Sequence, residues 1–296
     1  MKWINAFCLI CIFPCVAFSA ESKPELERLF HRADSLLMTG NHFEAAIGYE
    51  RVFYLASSPE VKTKANLGKS ESLKQMGAYG KARRDLERSL VYRSDTALRL
   101  EVIYQLAFCA YMEADFTDAH SLVMQWKLLA ADLNDHRVML LEALLLAEAW
   151  KWEELRTHLL EWINHDIRHA ELSDEVLWTY DSLVFNVLRG AEKSESKARI
   201  LSAFLPGTGQ LYTGNTGWGV LNATSQLASL GLFAWLTLNG FYLAGPIMGL
   251  SMFQSFYFGG INQAGILAER HNETMGQQIR FAAVEFLTDL YARLAD

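Results

Sequence analysis

The sequence predicts an all-α protein: an α-solenoid of helical pairs, then a transmembrane helical hairpin, then a C-terminal amphipathic helix. Three observations predict it. Helical segments with small residues at matching positions recur every 36 or 37 residues through the first half of the chain. Positions 200 to 268, 69 residues in succession, carry no Asp, Glu, Lys, Arg or His. The final twenty residues repeat apolar side chains at helical spacing.

Composition narrows the function classes. Lys and Arg total 27 against 34 Asp and Glu, a net charge of -7. That balance offers no basic patch for phosphates, so nucleic acid is not an expected partner. Hydrophobic residues make up 51% of the chain, which excludes a disordered tail. Four cysteines cannot support a disulfide-rich fold.

Residues 1–20 read MKWINAFCLICIFPCVAFSA. Lys2, the apolar run Trp3 to Phe18, and small residues at Ser19 and Ala20 follow the order of a secretory signal peptide. An uncleaved anchor is the alternative. Cys8, Cys11 and Cys15 lie in this segment, so its removal leaves only Cys109 and no intrachain disulfide. Pro14 precedes Cys15 where lipoprotein processing wants a small residue.

Residues 24–190 hold the helical pairs and a capping helix. Turn positions fall at Gly40, Gly77, Ala114 and Trp150. Helix B opens on Ala45, Ala82, Ala119 or Leu155, with Tyr49, Leu86, Val123 or Leu159 four residues on and Val52, Ser89, Trp126 or Trp162 three further. Seven residues before each turn stand Ala33, Ser70, Ala107 and Ala143. Small residues on both helices let the backbones approach, and the larger ones fill the groove between pairs. The array resembles the tetratricopeptide repeat family, with Leu67-Gly68 matching its Leu-Gly pair in the second repeat and Leu106-Ala107 a weakened form in the third. It departs from the family in period and in lacking the proline that closes helix B. The resemblance implies a concave groove for a protein or peptide partner, with Arg32, Asn66, Lys69 and Gln105 on the groove-facing helix A.

Ser173 starts, and Gly190 stops, a helix that caps the array. The polar stretch 191–199 is expected to be a hinge and the domain boundary. Beyond it, residues 200–268 form a Gly-rich two-helix module holding twelve of the 19 glycines. Val220 to Leu238 and Pro246 to Phe258 are its hydrophobic segments, and about 20 such residues cross a bilayer core. Asn222, Gln226, Gln254, Asn262 and Gln263 are expected to turn toward the partner helix or another subunit, because unpaired amides in hydrocarbon are costly.

The motif Pro206-Gly207-x-Gly209-Gln210-x-Tyr212-x-Gly214 lacks the Lys-Ser/Thr pair of a phosphate loop, and no strand precedes it. With Tyr257, Gly259, Gly260 and Asn262 it resembles the TM2-like two-helix membrane modules of bacterial envelope proteins. Residues 275–295 are expected to form the amphipathic helix, with apolar residues at Ile279, Ala282, Ala283, Phe286, Leu287, Leu290 and Leu294.

No catalytic or cofactor constellation emerges, and neither an enzyme nor a cofactor is expected. His165 and His169 stand four apart after Glu161, a spacing that can hold a metal, yet Asp166 follows the first His where a metalloprotease needs Glu. No third ligand is identifiable, so no metal is expected. Cys109 sits in the apolar stretch LAFCAYM and reads as an inert thiol.

Together the resemblances imply a membrane-tethered protein-binding scaffold of the bacterial cell envelope. It would sit in the inner membrane with its repeats in the periplasm, in contact with membrane lipid and with a protein or peptide partner. An accessory subunit of a transport or secretion assembly, packed against a membrane-protein partner, is the alternative. An enzyme with a lipid-embedded site around Gln210, Tyr212 and Asn262 is a third.

Overall fold

The structure, a computed structural model, describes residues 23–89, 95–130, 135–165 and 173–295. It divides into two compact units, 1–132 and 133–296. The described residues form thirteen α-helices and one π-helical segment, with no strand among them. The expected signal peptide, residues 1–20, lies outside them.

The first unit contains α1 (Lys23–Met38), α2 (His42–Leu55), α3 (Pro59–Gln75), α4 (Tyr79–Ser89), α5 (Thr96–Met112) and α6 (Phe116–Ala130). Pro59 begins α3, where its missing N–H costs nothing. Consecutive helices pair through one recurring turn. Asn41 N–H donates to Leu36 O at 2.9 Å, Ala78 to Leu73 at 2.9 Å, and Asp115 to Ala110 at 2.9 Å. Each turn places one residue at positive φ: Gly40 at 80°, Gly77 at 70° and Ala114 at 60°. This is the left-handed helix stop that glycine adopts most readily. Ala33, Ala45, Tyr49, Val52, Ser70, Ala82, Leu86, Ser89, Ala107, Ala119 and Val123 are all buried. Close approach accounts for the small ones: a Cβ on Gly48 would stand 2.9 Å from that of Ala33.

The second unit opens with α7 (His136–Glu148), α8 (Trp152–His165) and α9 (Ser173–Ala191). Asp135 caps α7 by accepting from Arg137 N–H at 2.9 Å. The α7–α8 turn places Trp150 at φ 57°, which is strained for a side chain of that size. Its ring covers Gly276, so the packing holds the conformation. Then come α10 (Glu195–Phe204), α11 (Thr208–Tyr212), α12 (Thr216–Leu238), the π-helical segment Gly245–Leu250 and α13 (Ser251–Ala295). The C-terminal half of α13 sends Ile279, Ala283, Leu287, Leu290 and Leu294 into a core with Leu155, Leu159, Trp162, Val176, Tyr180 and Val184. Arg280 clamps this packing by donating to both oxygens of Glu148, at 2.7 and 2.8 Å.

Several expectations are corrected. No helix among the described residues is long and apolar enough to cross a membrane. The transmembrane hairpin therefore falls, and with it the TM2-like module, the membrane-lipid and membrane-protein partners and the inner-membrane and periplasmic location. Asn222, Thr224, Ser225 and Gln226 lie inside α12 and lower its hydropathy. Its expected partner begins as a π-helical segment. The separate amphipathic helix at 275–295 is instead the end of a 45-residue helix, because no proline interrupts it after Pro246. The solenoid built on tetratricopeptide repeats falls too: the helical pairs belong to two units divided after residue 132, and their 37-residue spacing, without closing prolines, is not that family's. The polar stretch 191–199 is not a free hinge. Ser194 caps α10, and Asn272 of α13 accepts from Lys193 N–H at 2.8 Å and donates to its carbonyl at 2.9 Å.

Candidate functional site

The glycine-rich motif folds into one junction in the second unit. Gly207 at φ 91° ends the α10–α11 turn, and a Cβ there would collide with the carbonyl oxygen of Gly219. Gly209 lies against the carbonyl oxygen of Ala198 and the hydroxyl of Ser202, again with no room for a side chain. These contacts bring α10, α11 and α12 together at backbone distance. Pro206 opens the turn half-buried, and Gly214 closes α11 at φ 82°.

Gln210 is fully buried at the centre. Its Oε1 accepts from Ser202 Oγ at 2.9 Å, and its Nε2 donates to Gly260 O at 2.8 Å. Ser202 Oγ also accepts from Gly209 N–H at 3.1 Å. One side chain thus ties three helices, a role open to an amide because it both donates and accepts. Tyr257 extends the tie by donating to Ala203 O at 3.1 Å. Tyr212 accepts from Ser194 N–H at 3.2 Å, and its ring carries the ammonium groups of Lys193 and Lys197 at 5.0 and 5.1 Å. Small residues complete the packing: Ala198, Ala264 and Ala268 form a buried cluster between α10 and α13.

The face built on this junction is inverted. Along α12 the buried positions are Gly219, Asn222, Gln226 and Ser229, all small or polar. Outward stand Val220, Leu221, Leu227, Leu230, Trp235 and Leu238, with Leu227 69% exposed and Leu238 87%. The following stretch repeats the pattern. Gly245, Gly249, Gly260 and Ala264 point inward; Ile247, Met248, Met252, Phe256 and Phe258 point outward. Of the 33 large apolar side chains exposed among the described residues, 21 lie between Ile200 and Ile266. Contiguous apolar surface of this extent is uncommon on a protein that stands alone in water.

The inner face carries an internal imperfection. Gln226 Nε2 donates to Asn222 Oδ1 at 2.9 Å, which leaves Asn222 Nδ2 and Gln226 Oε1 buried without partners. Asn222 rests on Gly260, where a Cβ would displace its amide.

The junction thus unites Pro206, Gly207, Gly209, Gln210, Tyr212, Gly214, Tyr257 and Gly260. Gly259 and Asn262 stand apart from it on the exposed side of α13. Sequence reasoning missed Ser202, whose signal was only its position eight residues before Gln210. Asn222 and Gln226 turn inward toward the neighbouring helix as expected, whereas Gln254 and Asn262 are exposed.

The proposed partner residues in the first unit are largely occupied. Asn66 is buried and donates to Ser89 Oγ at 2.8 Å. Lys69 bridges Glu50 at 2.7 Å and Asp85 at 2.8 Å. Burial opposes its charge, but those two carboxylates win and hold its ammonium above the ordinary lysine value. Gln105 accepts from Lys74 at 2.6 Å and donates to Glu101 at 2.7 Å. Arg32 alone of the four is exposed. Burial pushes the Cys109 thiol up to about 11, which keeps it protonated and unreactive. His169 and the side chain of His165 lie outside the described residues, among which no group of His, Cys, Asp or Glu can hold a metal ion.

Compared with known proteins, the chain matches no family model, no curated protein and no solved structure. The assignment to the tetratricopeptide repeat family, and the scaffold or accessory-subunit roles drawn from it and from a membrane anchor, are withdrawn on this ground as well as on the fold.

Proposed function

We propose that this chain is a non-catalytic association protein whose second unit works through the outward apolar face of α12 and the first turns of α13, held against another protein surface. The inversion of that face carries the reading. A helix that turns Asn222 and Gln226 inward and Leu227, Leu230 and Trp235 outward is arranged for apolar surroundings on its outer side. The groups with chemical potential support a structural role: Gln210, Ser202 and Tyr257 are committed to bonds between helices, and Cys109 is buried.

The test is the paired substitution Leu227→Lys and Leu230→Lys. Both side chains are exposed, so helix content should stay close to the parent. Sedimentation of the natively isolated protein should shift to a smaller species. An unchanged sedimentation profile in the folded variant overturns the reading.

A further inference from the structure

We infer that the surface covering this face is the same face of a second copy of this chain. The inference rests on the association reading and commits it to one occupant. Area is the first argument. A helix of 23 residues such as α12 is about 35 Å long and about 10 Å wide. The neighbouring stretch from Gly245 to Ala268 presents a strip of similar length. Together they offer roughly 700 Å² per copy, against about 800 Å² per partner in an interface of standard size.

Charge is the second argument. A two-fold interface sets each residue near its own counterpart, so any charged residue close to the axis repels itself. Positions 200–268 hold no charge and no histidine, whereas the chain as a whole carries -7. Two copies therefore repel through the rest of their surface and meet without repulsion here. A different partner would be selected and steered by complementary charges, and this face supplies none.

Shape is the third. Thr224, Ala228 and Gly231 are exposed on α12 beside the larger Leu227 and Leu230. A Cβ on Gly231 would meet nothing within 4 Å. The small residues form a shallow groove and the leucines a ridge, so one α12 seats its ridge in the groove of the other.

The experiment uses the full chain with Cys8, Cys11 and Cys15 replaced by Ser, and Ala228→Cys placed at the middle of α12. Oxidation should give a disulfide-linked dimer at least ten-fold faster than the control Phe281→Cys, which is exposed on the distant half of α13. Sedimentation of the purified chain, in aqueous buffer and in non-denaturing detergent, should show a dimer whose dissociation constant rises at least 100-fold on Leu227→Lys with Leu230→Lys. Equal crosslinking of the two cysteines overturns the second-copy assignment. So does a purified chain that is monomeric at every concentration, or one that leaves solution only to float with phosphatidylcholine vesicles. If the purified chain is monomeric while the double-lysine variant still shrinks the natively isolated species, the association reading stands and the occupant is another protein. If the variant changes neither measurement, both fail.

Discussion

The helical pairs of α1–α6 and the α10–α13 junction solve the same packing problem with opposite side chains. In the first unit Ala33, Tyr49, Leu86 and Val123 are inside, and charge lies in ion pairs such as Lys69 with Glu50 and Asp85. In the junction, glycines and amides are inside and leucines outside. Both use small residues to bring helices close. They differ in what each expects beyond the outer face: water for the first, another apolar surface for the second. Amphipathic periodicity is therefore a statement about two unlike faces, and the direction of burial depends on what else the chain must meet.

The largest effect that separates the two regions is expected at Gly209. Gly209→Ala sets a methyl against the carbonyl oxygen of Ala198, which is backbone, and the hydroxyl of Ser202, which is held by its bonds to Gln210 and to Gly209 N–H. Overpacking of this kind costs about 3 kcal/mol. Gly77→Ala in the first unit meets nothing within 4 Å and pays only for its positive φ, about 1 kcal/mol. Urea midpoints of the two variants measure the contrast, and equal losses would show that the junction is no tighter than an ordinary turn.

Next is the charge network of the first unit. Lys69→Met leaves Glu50 and Asp85 facing each other with Arg88 as their remaining cation, at 3.3 and 3.1 Å. Lys69 is only 16% exposed, so the loss should be about 2 kcal/mol, below that of a fully buried pair. Raising salt to about 1 M should shrink this difference. The loss on Gly209→Ala, relative to the parent, should show no such dependence, since none of the atoms its methyl would meet is charged.

The inner amides of α12 make a smaller, sign-sensitive test. Asn222→Leu alone strips Gln226 of its partner and should cost about 1–2 kcal/mol. Adding Gln226→Leu removes both half-satisfied amides, and the double variant should recover to within about 0.5 kcal/mol of the parent or exceed it. A double variant that loses the sum of the two singles would mean that the orphaned atoms have partners in solution.

Much of the first unit was legible in the sequence. Gly40, Gly77 and Ala114 mark its turns, and the aligned small residues are its buried positions, because turn stereochemistry and close helix approach act locally. The junction was legible as a motif and illegible as a structure. Pro206 through Gly214 announce tight backbone contact, but that Gln210 would reach Gly260, fifty residues on, depends on tertiary packing that no local pattern encodes. The charge-free stretch suggested lipid because hydropathy measures how apolar a segment is and not which of its faces is covered. Continuity of α13 from Ser251 to Ala295 was hidden by its internal glycines, which weaken a helix without ending it.

The smallest expected effect comes from an exposed carboxylate and separates the regions by pH. Hydrogen bonding from the Arg83 guanidinium, 3.1 Å away, holds the Asp115 carboxyl below the usual carboxylate range. Its folded value lies under its unfolded value of about 3.9, so its contribution is fully present above that pH and is lost as pH falls through the folded value. Asp118, 2.6 Å from the same guanidinium, shares the cation and limits what Asp115 alone can do. Asp115→Asn should therefore lower the first unit's urea midpoint slightly at neutral pH and flatten its acid limb by the same small amount, so that parent and variant converge below about pH 4, measured by probes on α4–α6. Positions 200–268 contain no carboxylate and no histidine to contribute such a limb. A fluorine label at Trp218 should thus report the same local unfolding in Asp115→Asn as in the parent at every pH. If that label follows the substitution, the two units unfold as one cooperative body, and the contrast between them is a contrast of chemistry alone.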